Sequence, residues 1–140
     1  MKAHLHRRYH FSASHRLHAA GLSESENADT YGKCNHPHGH GHNYSLEVTI
    51  SGPIDPRTGM VLNLAELDEI VRREVLERFD QSNLNLDPAF KHQVPTTENL
   101  NILLFDLLEA RLPQVALEHV KVRETSNNSF DYAGEKEIRR

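Results

Sequence analysis

Two stretches of the chain alternate between apolar and polar residues with a period of two, the pattern of half-buried strands. In "RRYHFSASHRL", Tyr9, Phe11, Ala13, His15 and Leu17 share one side, and Arg8, His10, Ser12, Ser14 and Arg16 share the other. In "HNYSLEVTIS", Tyr44, Leu46, Val48 and Ile50 oppose Ser45, Glu47, Thr49 and Ser51. The turn-rich "GPIDPRTG" follows, and the period then becomes helical. Asn63 with Glu66 forms an asparagine variant of a helix-start box, and Leu64, Leu67, Ile70, Val71 and Val75 recur at helical spacing to about Phe79. After a polar loop containing "NLNLDP", Thr97 is predicted to cap a second helix. Its stripe of Leu100, Leu103, Leu104, Leu107 and Leu108 runs until Pro113 stops it. "EHVKVRET" and "SFDYAG" predict a closing hairpin around Asn127 and Asn128. The order strand, strand, helix, helix, strand, strand predicts an α+β fold, an antiparallel sheet of about four strands with two helices on one face. Such a small sheet has open edges, so copies are expected to join through them.

At 140 residues the chain is expected to be one domain, 1–140. A formal charge of −4 argues against a general binder of nucleic acid or anionic membranes, which needs a basic surface. No apolar run approaches the roughly 20 residues of a membrane span, and "MKAHLHRRYHF" has no signal-peptide core. The single cysteine can form no intramolecular disulfide, which predicts a reduced, cytoplasmic protein. With aromatic residues sparse and tryptophan absent, leucine and valine must supply most of the core.

The chemistry concentrates in "GKCNHPHGHGHNY", which holds that cysteine, Cys34, and four of the eleven histidines. Extending the second strand backward along its apolar side reaches His42 and then His40, about 6.5 Å apart at two strand steps. His15 ends the apolar side of the first strand. Three imidazoles are thus expected on the buried side of the sheet, where each needs a partner. They fit a three-histidine metal site that keeps a coordination position open, a closed structural site with Cys34 as fourth ligand, or core histidines bonded to backbone. His36 and His38 flank Pro37 in a loop and are expected in solvent. Glu124 falls on the apolar side of its strand with Val120 and Val122; it either frays into solvent or anchors a ligand through its two oxygens.

"FSASHRL", "GKCNHPHGHGHNY", "DPRTGMVLNLAEL", "PTTEN" and "ETSNN", in that order from about Tyr9 to Glu135, resemble the 6-pyruvoyltetrahydropterin synthase family. The resemblance implies the tunnelling fold, in which sheets of several subunits join into a barrel, usually as a hexamer of two trimers. It implies zinc held by His15, His40 and His42, with Cys34 as the proton-abstracting base and Asp80 working with it. It also implies a small pterin substrate, 7,8-dihydroneopterin triphosphate, whose amino-pyrimidine edge is gripped by Glu124, with Thr96, Thr97 and Glu98 nearby at a subunit boundary. Arg16, His18 and Lys33 are candidate triphosphate contacts. The six-residue step from Cys34 to His40 resembles the biopterin-pathway enzymes; the queuosine-pathway relative, 6-carboxytetrahydropterin synthase, tends to a shorter one and is the alternative reading. The chain departs from the family in "RFDQSNLNLD": where the family has an Asp-His pair, Asp80 is followed by Gln81. Glutamine can orient a group but exchanges no proton near neutrality, so slower proton return, its takeover by His36, His38 or His92, or a non-catalytic pterin-binding or zinc-binding homologue are the further readings.

Overall fold

The computed structural model describes residues 1–135. The chain runs β1 (Lys2–His15), α1 (Glu24–Tyr31), a short turn of 3-10 helix (Gly32–Asn35), β2 (His40–Pro53) and α2 (Leu64–Val71). There follow a π-helical turn (Arg72–Leu76), α3 (Glu77–Phe79), β3 (Ser82–Asn83), α4 (Thr97–Glu109), β4 (Ala116–Arg123) and β5 (Ser129–Tyr132). One sheet in the order β3-β1-β2-β4-β5 results. The four strands expected from the alternation are β1, β2, β4 and β5, each antiparallel to the next in that order. The fifth, β3, is a two-residue strand parallel to the end of β1, too short to leave a periodic signal.

The apolar sides of the strands form the floor of the core. Phe11 and Ala13 of β1, Tyr44, Leu46, Val48 and Ile50 of β2, and Val120 and Val122 of β4 are buried against Leu67, Val71, Val75, Phe79, Leu100, Leu104 and Leu108 of the helices. Along the 64–79 rod the buried positions recur every fourth residue, at Leu67, Val71, Val75 and Phe79. On a regular α-helix each such step drifts by about 40°; the wider π-turn takes back part of that drift and keeps the stripe on the sheet. A bulge in β4 lets Thr49 pair with His119 but Ile50 with Leu117. It shifts the alternation by one residue, so Leu117 and Val120 both face the core.

Three local readings change. β1 begins at Lys2 rather than Arg8. The cap of α4 is Thr96, whose hydroxyl accepts from the Asn99 amide at 3.2 Å; Thr97 is the first helical residue, with its hydroxyl turned to Glu124. At α2, Asn63 caps as expected, while the Glu66 carboxylate accepts from Gln114 instead of closing the box. Helix α1 was not predicted at all, although Ser23 and Glu26 form a reciprocal capping box.

Between β1 and α2, the Asp68 carboxylate accepts both guanidinium bonds of Arg7 at 2.9 Å and the Tyr9 hydroxyl at 2.7 Å. Arg7 first and Tyr9 second hold Asp68 below the ordinary carboxylate value, so its stabilising effect is complete above that value, about 3.9, and is lost as pH falls through the depressed one. Asp68→Asn should lower the urea midpoint at pH 7, and the gap to the unaltered chain should narrow progressively as unfolding is repeated at pH values below about 3.9.

Candidate active site

The β1–β2 register sets His15 directly opposite His40 and Ala13 opposite His42. The three rings stand edge to face, with centroids 5.4 Å apart for His15–His40, 5.0 Å for His15–His42 and 4.7 Å for His40–His42. One nitrogen from each lies within 4.8 Å of the other two, the single such group of potential metal ligands among the described residues. His15 is buried, and its Nδ1 lies 2.8 Å from the Pro95 carbonyl. A carbonyl can only accept, so Nδ1 carries the proton and Nε2 is a bare lone pair. That Nε2, like Nε2 of His42, is buried and has no hydrogen-bond partner. Burial lowers both histidines below the ordinary imidazole value, against the opposing pull of the Pro95 carbonyl on His15 and of Glu124 on His42. A buried imidazole with a bare lone pair, beside two more imidazoles whose nitrogens come within 4.8 Å, offers the donor set a divalent ion needs.

Glu124 closes one end of this group. It follows the last residue of β4, and its side chain is only 16% exposed, which excludes the frayed reading. One oxygen accepts from the Thr97 hydroxyl and the other stands 3.5 Å from His42 Nε2. Tyr44, beneath the cluster, has its hydroxyl 3.5 Å from His15 Nδ1; burial first, and Glu124 next, push that phenol up.

Cys34 lies at the other end, with Sγ 3.5 Å from His40 Nε2 and outside the group of three mutually close ligand atoms. Its position comes from the loop joining β1 to β2. The Leu17 amide donates to the Cys34 carbonyl at 2.7 Å, and the Asn35 side chain donates to the Leu17 carbonyl at 2.7 Å. Arg16 Nε donates to the Asn35 carbonyl at 3.0 Å. Further out, the buried Asn27 amide bonds to Ala19, Leu22 and Ser23 and holds the approach to α1. Gly39, at φ 67°, passes so close to β1 that a Cβ there would be 2.7 Å from the His15 carbonyl oxygen. Cys34, His40, Gly32, Lys33, His36 and Gly39 bound a cavity of about 720 Å³. Burial and then Glu124 push the Cys34 thiol above its ordinary value, so any ionising help must come from a cation beside it.

Asp80 and Gln81 lie elsewhere. The exposed Asp80 carboxylate accepts from the Ser12 amide at 2.9 Å, and the Gln81 amide donates to the Ser12 carbonyl at 2.5 Å. Together they clasp the edge of β1, with Gln81 in the left-handed region at φ 57°. Among the described residues no hydrogen bond or ion pair joins either to Cys34 within the chain. Gln81 borders a second hollow of about 490 Å³ shared with His42, Asn43 and Ser14. Glu98 is exposed in the first turn of α4; His36 and His38 are exposed as expected. The residues missed in the sequence are Pro95, Asn27 and Asn35. Pro95 acts through a backbone carbonyl, Asn27 through side-chain bonds to backbone four to eight residues away and Asn35 through one to Leu17, none of which leaves a periodic pattern.

Fold and site together define a small α+β protein whose histidine triad can hold a metal ion between a carboxylate and a thiol-lined cavity. Residues 4–135 match the family described as 6-pyruvoyl tetrahydropterin synthase. The chain is 48% identical over 135 residues to the human protein named 6-pyruvoyl tetrahydrobiopterin synthase, covering 96% of this chain and 93% of that one. It is 47% identical to the Drosophila melanogaster protein of the same name, covering 94% and 80%. The solved 6-pyruvoyl tetrahydropterin synthase of Caenorhabditis elegans superposes with a TM-score of 0.91 at 42% identity, covering 96% of this chain and 97% of that one. This chain belongs to the 6-pyruvoyl tetrahydropterin synthase family.

Binding of a divalent ion should repay the desolvation of the two bare nitrogens. Metal-stripped protein titrated with cobalt(II) to a hundredfold excess over its dissociation constant should gain about 2.7 kcal/mol of stability, read by calorimetry. His42→Ala should abolish that gain and the cobalt absorption band.

Proposed function

We propose that the chain is a zinc-dependent 6-pyruvoyl tetrahydropterin synthase, a lyase that converts 7,8-dihydroneopterin triphosphate to 6-pyruvoyltetrahydropterin with loss of triphosphate. The observation that carries this reading is the group of His15, His40 and His42, whose ligand nitrogens lie within 4.8 Å of one another, with Nε2 of His15 and of His42 buried and without a hydrogen bond. Three histidines suit zinc with an open position, and with only one cysteine the chain lacks the donor set of most structural zinc sites. Zinc bound by His15, His40 and His42 supplies Lewis acidity, which makes the neighbouring substrate C–H easier to deprotonate.

The protein's own groups divide the remaining work. Glu124, held by Thr97, accepts hydrogen bonds from the amino-pyrimidine edge of the pterin through two oxygens. Cys34 removes a side-chain proton; a cation held by His40 would offset the upward push of burial on its thiol. The electron pair from the side-chain carbon next to the ring reduces the ring C=N, which takes up the protons, while loss of a second proton from the next carbon expels the triphosphate and leaves an enol that becomes the methyl ketone. The redox is internal and consumes no external oxidant.

Asp80, Thr96 and Glu98 act at a subunit boundary in this reading. Asp80 and Gln81 clasp the outer edge of β1 at Ser12, and β3 covers that edge only at Ala13 and Ser14. The remaining edge of β1 and that of β5 suit strand pairing between copies, which would build the barrel of a trimer and, by stacking, a hexamer. Among the described residues no helix is long and apolar enough to cross a membrane, and the single cysteine agrees with a reducing cytoplasm.

Incubation with 7,8-dihydroneopterin triphosphate and zinc should yield the pyruvoyl product and free triphosphate by mass; an intact triphosphate would move the protein to a binding role. Cys34→Ala should lose at least about a hundredfold in kcat while keeping one zinc per chain by metal analysis. Gln81→His should raise kcat by about tenfold or more, the gain of supplying a proton-exchanging side chain; an unchanged kcat would assign proton return to another group.

A further inference from the structure

A series of contacts links the groups of the site. Glu124 reaches His42 at 3.5 Å, His42 faces His40 at 4.7 Å between ring centroids, His40 reaches the Cys34 sulfur at 3.5 Å, and Lys33 precedes Cys34 in the chain. The charge changes sign along that series. Its carboxylate stands at one end, while the cavity at the other end is bounded by Lys33, Cys34, His36, His40 and two glycines, with no acidic residue. Lys33 is exposed and, among the described residues, enters no ion pair. His36 is exposed too, and its Nδ1 accepts from the His38 amide at 3.3 Å. Its ring proton therefore sits on Nε2, where it can donate outward.

Arg16 and His18, also basic and near in sequence, are differently placed. Arg16 Nε is spent on the Asn35 carbonyl at 3.0 Å, and His18 Nδ1 is held by the Asn35 amide at 3.0 Å. Neither borders the cavity.

We propose that Lys33 and His36 form the leaving-group subsite, which takes the triphosphate of the substrate at the mouth of the cavity beyond Cys34. This rests on the function proposed above. A substrate with a guanidine-like edge, a three-carbon side chain and a polyanionic tail matches the series end for end: the edge at Glu124, the side chain at the histidines and the thiol, the tail at Lys33 and His36. Elimination leaves negative charge on the departing triphosphate, and a fixed ammonium with a ring N–H lowers the cost of that charge as the bond breaks. The subsite also orients the substrate, because reversing it would set the triphosphate against Glu124 and the pterin edge against Lys33.

The test is calorimetric titration of the zinc-loaded full chain with inorganic tripolyphosphate, with zinc content measured before and after. The unaltered chain should bind it. Lys33→Ala should weaken binding about tenfold and Lys33→Ala with His36→Gln about a hundredfold, as expected for charge-assisted hydrogen bonds. Lys33→Arg should restore most of the loss. Affinity for dihydroneopterin lacking phosphate should not change, which separates a subsite from general damage. KM for the triphosphate substrate should rise in parallel. Tripolyphosphate binding that is absent, or equal in the double variant and the unaltered chain, overturns the subsite. Its failure is distinguishable from failure of the function. Turnover with a KM indifferent to Lys33 and His36 removes the subsite alone, whereas Lys33-dependent tripolyphosphate binding without turnover keeps the anion site and removes the lyase.

Discussion

A polar nitrogen buried without a hydrogen bond costs about 1–3 kcal/mol, and this fold buries two of them side by side, on His15 and on His42, the second facing the Glu124 carboxylate at 3.5 Å. The antiparallel register of β1 and β2, which sets His15 opposite His40, enforces that arrangement. The Pro95 carbonyl adds to it by occupying the far side of the His15 ring, so the ring cannot turn its bare lone pair away without breaking a buried hydrogen bond. A strand pairing and one backbone oxygen therefore impose a ligand geometry that stabilises the protein only when a cation shares it. The rest of the site is organised around that point.

The surrounding groups are held by chain segments of different character. Glu124 comes from the end of a core strand and is tied to Thr97 in the first turn of α4, which makes its carboxylate part of the rigid scaffold. Cys34 comes from a connection, yet that stretch is tied back to the residues just past His15, Arg16 and Leu17, through Cys34 and Asn35. The close pass of Gly39 over the His15 carbonyl pins its far end. A thiol beside a metal site must keep its distance to the substrate carbon to a fraction of an ångström. Cross-bonds between the two ends of the loop, with the close pass at Gly39, give a connection that stiffness. Asp80 and Gln81 are anchored just as firmly, but to the outer edge of β1, so their chemistry belongs with whatever pairs there.

Particular elements show how far the amino-acid pattern reaches. Side-chain alternation in β1 and β2 already put His15, His40 and His42 on the core side, because a strand's period is fixed by backbone geometry and survives into the fold. It also put Glu124 on the face of Val120 and Val122, where it finds Thr97 and His42. Helix α1 was missed in spite of a complete Ser23–Glu26 box: its only fully buried residue is the polar Asn27, so it has no apolar stripe. The choice between Thr96 and Thr97 as cap of α4 turned on Glu124, 27 residues from Thr97 along the chain, which claims the second hydroxyl.

The sequence by itself determined the α+β order of elements and the face on which three histidines would meet, since both follow from local periodicity, while the part of the single thiol came only with the resemblance. Tertiary structure alone decided that Pro95 fixes the His15 tautomer, that Asn35 joins the thiol turn to β1, and that Asp80 grips the β1 edge rather than the thiol of its own chain. Each of those is a contact between residues far apart in sequence, made largely by backbone atoms that every residue carries, and so no pattern of side chains could announce it.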